Sequence, residues 1–429
     1  MAPLGTLWSP DKARAIFGPV PGTREIRLAC WAALLVTILL VALSMVYSAA
    51  GRPFLGHPPC GDYVQFYAAG KILNEYPPAR LYDQALQYRL QHTLLPEMRA
   101  DLSLVYVNSP IVSVLFRPLA RVPLLWSYGL WVAISALLYV AGLRLLWPPG
   151  QEFGAVSRTA FLACLAFSPF AIECCAGGQL SAVGFFALAL CTRWRVRYPI
   201  AAGAALALCL YKPTLLVLLA PMLIAGRRFR MLLGFAPAAA ALAVLSLAAV
   251  GYDGCLAYLR TLRLFAEFTA RDPSPLPLFK FVDIRTFFRL LLGGHPASSA
   301  GAALILAGAA FAYLAVRWAR SRPGTQTDAL LWAATIAWTL VFNLYVPIYD
   351  TVLIVISALA MAGAVYAPRR EGTESERGAF LGWMLVLYVA AWVTQPLASF
   401  AHFQVLTLVL AAIGALALRL SRQAKSAAA

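Results

Sequence analysis

Runs of about twenty apolar residues recur along this chain from residue 28 to residue 420, and that recurrence limits its fold more than any other feature. Roughly 20 helical residues cross the ~30 Å of hydrocarbon in a bilayer, where every peptide group must find its hydrogen bond inside the protein. Repeated spans therefore imply a polytopic, all-α integral membrane protein. Of its 429 residues 61% are hydrophobic and 12% charged, which leaves no soluble stretch long enough to stand as a separate domain.

The first run, about residues 28 to 49, is too long for a signal-peptide core and lacks a cleavage pattern, so it reads as a retained span. Lys12, Arg14, Arg24 and Arg27 precede it, which places residues 1–27 in the cytoplasm by the positive-inside rule. A net charge of +17 raises the question of nucleic acid, but the arginines sit between apolar runs rather than in one tail or patch. Clusters such as Arg193/Arg195/Arg197, Arg227/Arg228/Arg230, Arg317/Arg320/Arg322, Arg369/Arg370 and Arg419/Arg422/Lys425 mark cytoplasmic connections, with residues 421–429 a cytoplasmic tail. The expected result is one domain over 28–420, with about 12 or 13 transmembrane helices and exoplasmic loops at about 50–105 and 252–296. The piece 107–120 is either re-entrant or one of a pair of short helices.

In the first loop, Tyr63, Phe66, Tyr67, Ile72 and Leu73 follow helical spacing, and Leu81, Leu86, Leu90 and Leu94 share one side. Two amphipathic helices along the membrane surface are expected, separated by Pro77 and Pro78. Pro273, Pro275 and Pro277 exclude one continuous helix through the second loop. The eight cysteines show no metal-ligand spacing. Cys60 and Cys255 fall in the two outer loops and form a candidate disulfide pair.

Polar residues collect on the exoplasmic side. Asp62, in CGDYVQFYAAGKIL, is a carboxylate where a lipid headgroup meets water, suited to accept a proton from a sugar hydroxyl; locally it also reads as a helix N-cap. Tyr63, Gln65 and Tyr67 offer hydroxyl, amide and stacking contacts of the kind sugars use. Gln179 follows two glycines and opens a helix, as ligand contact or cap. Lys212 breaks the charge rule that the other basic residues obey; a lipid phosphate or snorkelling to the interface accounts for it. Tyr349 and Asp350 orient the acceptor or the phosphate-binding residues, or Asp350 caps its helix after Pro347. Arg285 and Lys280 are further phosphate contacts, and His295 and His402 weaker assistants. Gln395 falls on the same side. There is no Walker motif, no GxGxxG and no paired zinc-ligand helix, so soluble nucleotide chemistry has no visible site.

Taken in order, these segments resemble glycosyltransferase family 87, membrane enzymes of GT-C type that use polyprenyl-phosphate sugars. Asp62 matches the family's first-loop acidic residue, and YVNSPIVSVLFRPLARVP resembles its Tyr-Pro-Pro…Pro-Leu tract, with Asn108 and Ser109 replacing part of the usual run. GGQLSAVGFFALAL, LYKPTLLVLLAPMLIAGRR and YVPIYDTVLIV are similar to its Gly-Gln helix, Lys-Pro turn and Tyr-Asp helix, so that the resemblance covers about residues 60–366. It implies an enzyme of the plasma (inner) membrane that transfers a hexose, with mannose expected, by inverting single displacement. Asp62 is then the general base, with Lys212 and Arg285 against the donor phosphate. Tyr63, Gln65, Tyr67, Gln179, Tyr349, Asp350 and His295 are the substrate contacts. The acceptor is a glycolipid or glycan, membrane lipids surround the chain, and nucleic acid is not a partner. No cofactor and no metal is expected, since a lipid monophosphate carries less charge than a nucleotide diphosphate and no second acidic residue flanks Asp62. The rival readings are a lipid or glycan transporter or flippase, and a structural assembly subunit; neither needs a catalytic carboxylate.

Overall fold

The structure is a computed structural model and describes residues 23–99, 104–147, 154–271, 277–293, 296–366 and 374–426. Lys12, Arg14, Pro273, Pro275, His295, Arg369 and Arg370, which entered the sequence reading, lie outside the described residues.

Among the described residues the chain forms sixteen α-helices and no β-strand. Helix α1 (Thr23–Ala49) leads into α2 (Tyr63–Glu75), α3 (Gln84–Leu94) and the short α4 (Pro110–Phe116), followed by α5 (Leu124–Leu146) and α6 (Gly154–Leu165). A π-helical turn, Pro169–Ala176, precedes α7 (Ser181–Trp194), α8 (Pro199–Ala207), α9 (Leu219–Ala225) and the long α10 (Phe229–Arg271). The remainder is α11 (Ile284–Leu291), α12 (Pro296–Ala319), α13 (Gln326–Val341), α14 (Ile354–Val365), α15 (Glu374–Phe400) and α16 (Val405–Ser426).

Eight helical stretches among the described residues are long and apolar enough to cross a membrane. The other apolar runs that suggested 12 or 13 spans make shorter helical pieces, Ser181–Trp194, Pro199–Tyr211 and Pro213–Ala225, where Pro199, Lys212 and Pro213 interrupt them. Burial sorts the spans by position. In α1 11% of the most apolar stretch is buried and in Phe229–Glu267 17%, so these face lipid; in Ile348–Val365 72% is buried, so it runs through the interior. Close packing of α13 on α16, α10 on α8 and α5 on α7 builds the bundle.

The piece 107–120 resolves as short helices. Its seven-residue α4 spans only about 10 Å, too little to cross even with the 3-10 turn at Leu119–Arg121 that follows, and α4 packs on α2 and α10. Helix α10 carries the chain past the bundle: at Gly251 the backbone turns through φ 70°, a conformation open mainly to glycine, and the helix resumes to Arg271 against α4 and the turn Pro78–Tyr82. Much of the second loop is therefore helical.

Two expectations are corrected. Helix α2 does not lie along a surface: Tyr63 to Gly70, Ile72 and Leu73 are all buried, because α3, α4 and α5 enclose it. Only α3 is amphipathic as expected, turning Leu86 and Leu90 inward. Cys60 and Cys255 are both free. Cys60 is fully enclosed, its N–H donating to Ser48 Oγ at 2.8 Å, and burial pushes its thiol up to about 12, while Cys255 packs as an apolar residue on α10.

Candidate active site

The residues between α1 and α2 form a stiff, sharply folded loop. Pro53, Pro58 and Pro59 restrict it, and Leu55, Gly56, Cys60 and Gly61 all take positive φ, between 49° and 75°. At its end Asp62 N–H donates to Gly177 O at 2.9 Å. Two glycines permit that approach. A Cβ on Gly61 would lie 2.5 Å from Gly177 O, and one on Gly178, itself at φ +67°, would lie 2.6 Å from Tyr63 Cβ. Backbone thus meets backbone, and the Gln179 side chain arrives at Asp62, where its Nε2 donates to Oδ2.

Neither side chain acts as a helix cap. Asp62 occupies the N-cap position of α2 but makes no side-chain cap hydrogen bond, and Gln179 caps nothing on α7. Both side chains line a cavity of about 1650 Å³. Burial pushes the Asp62 carboxyl up from its ordinary value; His57 and Lys280 pull it back, and the charge of Glu173 adds to the rise.

Glu173 is a second acid on the same wall, and its presence corrects the expectation that none flanks Asp62. It projects from the π-helical turn, in which Gly177 N–H reaches back five residues to Ile172 O at 2.9 Å and Gln179 N–H to Cys174 O at 2.8 Å. His57 Nε2 stands 3.4 Å from Glu173 Oε2, and Gln395 Nε2 donates to Oε1 at 2.5 Å. With Glu173 beside Asp62 on the wall, the number of acids no longer weighs against a metal. Among the described residues, no three His, Cys, Asp or Glu side chains are grouped so that they could hold a metal ion.

Across the cavity Lys212 is neither snorkelling nor free. Its ammonium pairs with Asp350 Oδ2 and lies 4.9 Å from the Tyr349 ring centre and 5.5 Å from that of Tyr345. Asp350, fully buried, also accepts from Ser181 Oγ at 2.7 Å and makes no cap hydrogen bond of its own. Lys280, Arg285 and Gln65 also line the cavity. Arg285 Nε is buried with no hydrogen-bond partner, an unspent donor on that wall.

Two expected substrate contacts are not on the wall. Tyr63 is fully buried and shares a hydrogen bond with Ser127 Oγ; Tyr67 donates its hydroxyl to Val122 O at 2.9 Å. Both project from α2 into the core, where Tyr63 packs against Phe116, Tyr128 and Trp131. His402 does not line the cavity, and His295 lies outside the described residues. Conversely His57, Glu173 and Tyr345 line the cavity without having been singled out. Glu173 carried a signal: an acid inside an apolar run, six residues before Gln179, is costly in a membrane and by default functional.

No curated protein and no solved structure matches the chain. The sequence model of glycosyltransferase family 87 matches residues 106–347, a segment that holds Glu173, Gln179, Lys212, Lys280 and Arg285 but not His57, Asp62, Tyr349 or Asp350. Since that match extends over more than half of its length, the chain belongs to glycosyltransferase family 87 and is a membrane glycosyltransferase.

Proposed function

We propose that this protein transfers a hexose, with mannose the expected sugar, from a polyprenyl-phosphate donor to a glycolipid or glycan acceptor at the exoplasmic face of the plasma (inner) membrane. The observation that carries the reading is one cavity lined by both a carboxylate with a raised pKa and a set of cations. A volume of about 1650 Å³ exceeds the ~300–1,000 Å³ of a single-ligand pocket, leaving room for donor and acceptor together.

Gln179 occupies Asp62 Oδ2, so Oδ1 is the oxygen free to take a proton. The acceptor hydroxyl gives that proton to Asp62 as its oxygen bonds to the anomeric carbon. The bond from that carbon to the phosphate oxygen breaks with its electron pair, and polyprenyl phosphate leaves. Attack opposite the leaving group inverts the centre. A raised pKa suits a base, because a carboxylate of higher proton affinity takes the acceptor's proton more readily. Arg285, with its unspent Nε–H, and Lys280 face the charge that develops on the phosphate; Lys212, balanced by Asp350, supports it from across the cavity.

The test is release of polyprenyl phosphate by purified protein given polyprenyl-phosphate-mannose and a panel of acceptors. Asp62→Asn is expected to lower transfer by about 10²–10⁴-fold with donor binding retained. Unchanged transfer in Asp62→Asn removes Asp62 as the base, and no release with any acceptor favours a transporter or flippase.

A further inference from the structure

Beyond Asp62 itself, the cavity holds a pair that proton abstraction by one carboxylate does not require. His57 and Glu173 are both buried, line the wall and stand 3.4 Å apart, an ion pair when the imidazole carries its proton. Their placement is tied to that of Asp62. The His57 ring approaches within 3.3 Å of the point where a Gly177 side chain would begin, and Gly177 O is the acceptor of the Asp62 N–H. A backbone pairing of Phe54 with His57, 2.9 Å and 3.0 Å in the two directions, anchors the residue at the start of the loop that ends in Asp62. Gln395, from α15, fixes the second oxygen of Glu173 as Gln179 fixes one oxygen of Asp62. Each carboxylate is thus pinned by a glutamine.

Burying a second acid beside the first is costly unless a cation accompanies it. Here the basic group set against Glu173 is the imidazole, 3.4 Å away. Resting on the reading of Asp62 as the base, we propose that His57 and Glu173 are a positioning pair that sets the net charge seen by Asp62, and with it the pH at which Asp62 becomes able to accept a proton. Neither residue exchanges a proton with substrate. The groups that face Asp62 come from several elements: His57 from its own loop, Glu173 from the π-helical turn, Lys280 from the 3-10 turn Leu278–Lys280, and Tyr345 and Tyr349 from the segment after α13. With both partners present their charges act on Asp62 in opposite directions. Removing His57 alone leaves Glu173 as an uncompensated negative neighbour.

Infrared pH titration of the full chain in lipid nanodiscs tests this without any donor. The protonated carboxyl stretch that disappears in Asp62→Asn reports the Asp62 midpoint directly. In His57→Gln that midpoint is expected to rise by about one unit, a tenfold tighter hold on the proton. His57→Lys, which restores a positive charge, and the double variant His57→Gln/Glu173→Gln, which removes both charges, are each expected to return it close to the wild-type value. Should His57→Gln not hold its fold, Glu173→Gln alone asks the same question with the opposite sign, and its midpoint is expected to fall. An unmoved midpoint in His57→Gln, or one that stays high in the double variant, overturns the proposal. Shifted midpoints in a chain that transfers no sugar overturn the transfer reading instead, and an active enzyme whose acid limb ignores these substitutions overturns this one alone.

Discussion

The two ends of α7 meet the same chemistry with opposite results. At its start the Ser181 hydroxyl donates to Asp350, which also holds the ammonium of Lys212. At its end Arg195 pairs with Asp328, which also accepts from Arg228 Nη2 at 2.6 Å. Both aspartates are buried and both sets are ion-paired. At Asp328, however, each carboxylate oxygen is taken by a different guanidinium, Gly324 N–H adds a third donor, and the arginines lie on the rings of Trp318 and Trp332. Nothing there borders the large cavity. At Asp350 the pair forms part of the cavity wall, in company with Asp62, Glu173 and Arg285. A buried charge makes a clamp where its partners saturate it, and a site where the partners leave room for a ligand.

The comparison breaks most severely at its closed end. Asp328→Asn leaves Arg195 and Arg228 buried against a neutral group, and a loss of about 3–5 kcal/mol is expected, read as thermal unfolding in detergent. Transfer per folded molecule should hold. Lys212→Met, at the open end, strands Asp350 in the same way but should also lower transfer at least tenfold beyond the loss of folded protein. Equal behaviour of the two variants in that corrected assay would erase the distinction between clamp and site.

A smaller effect tests what holds the open end together. Gly178→Ala meets both a left-handed backbone and a contact of 2.6 Å with Tyr63 Cβ, for an expected cost of about 1–3 kcal/mol. Because Gln179 is the next residue, activity should fall further than stability. A stable, fully active Gly178→Ala protein would mean that the close approach of the two loops is not what presents Gln179 to Asp62.

The mildest test is pH. Because the folded-state pKa of Asp62 is raised, its base form is lost as pH falls through a value above the ordinary ~4 of a carboxylate. The acid limb of kcat/KM should therefore lie above that value and drop about tenfold per unit below it. Asp328→Asn should leave the limb in place. A limb at the ordinary value would show that the cavity does not desolvate Asp62.

Of the site, Asp62, Gln179, Lys212, Tyr349 and Asp350 were legible because each is a polar residue at the end of an apolar run, a local signal. Their partners were not. Asp62 and Gln179 meet across 117 residues of chain and Lys212 and Asp350 across 138, distances over which hydropathy and periodicity carry no information. Tyr63 and Tyr67 illustrate the converse: helical spacing placed them on α2, yet only the packing of α4 and α5 decided that they face the core rather than the cavity. The candidate disulfide failed for the same reason, since two cysteines in loops of the same side need not approach each other.

By itself the sequence determined the solvent and the class. Long apolar runs demand a bilayer, and a bilayer demands helices that satisfy their own backbone. The tertiary structure decided the chemistry, because a carboxylate acquires its proton affinity from what surrounds it. For Asp62 that surrounding is Gln179, His57, Glu173 and Lys280, assembled from three separate segments, two of them joined through glycines small enough to let them touch.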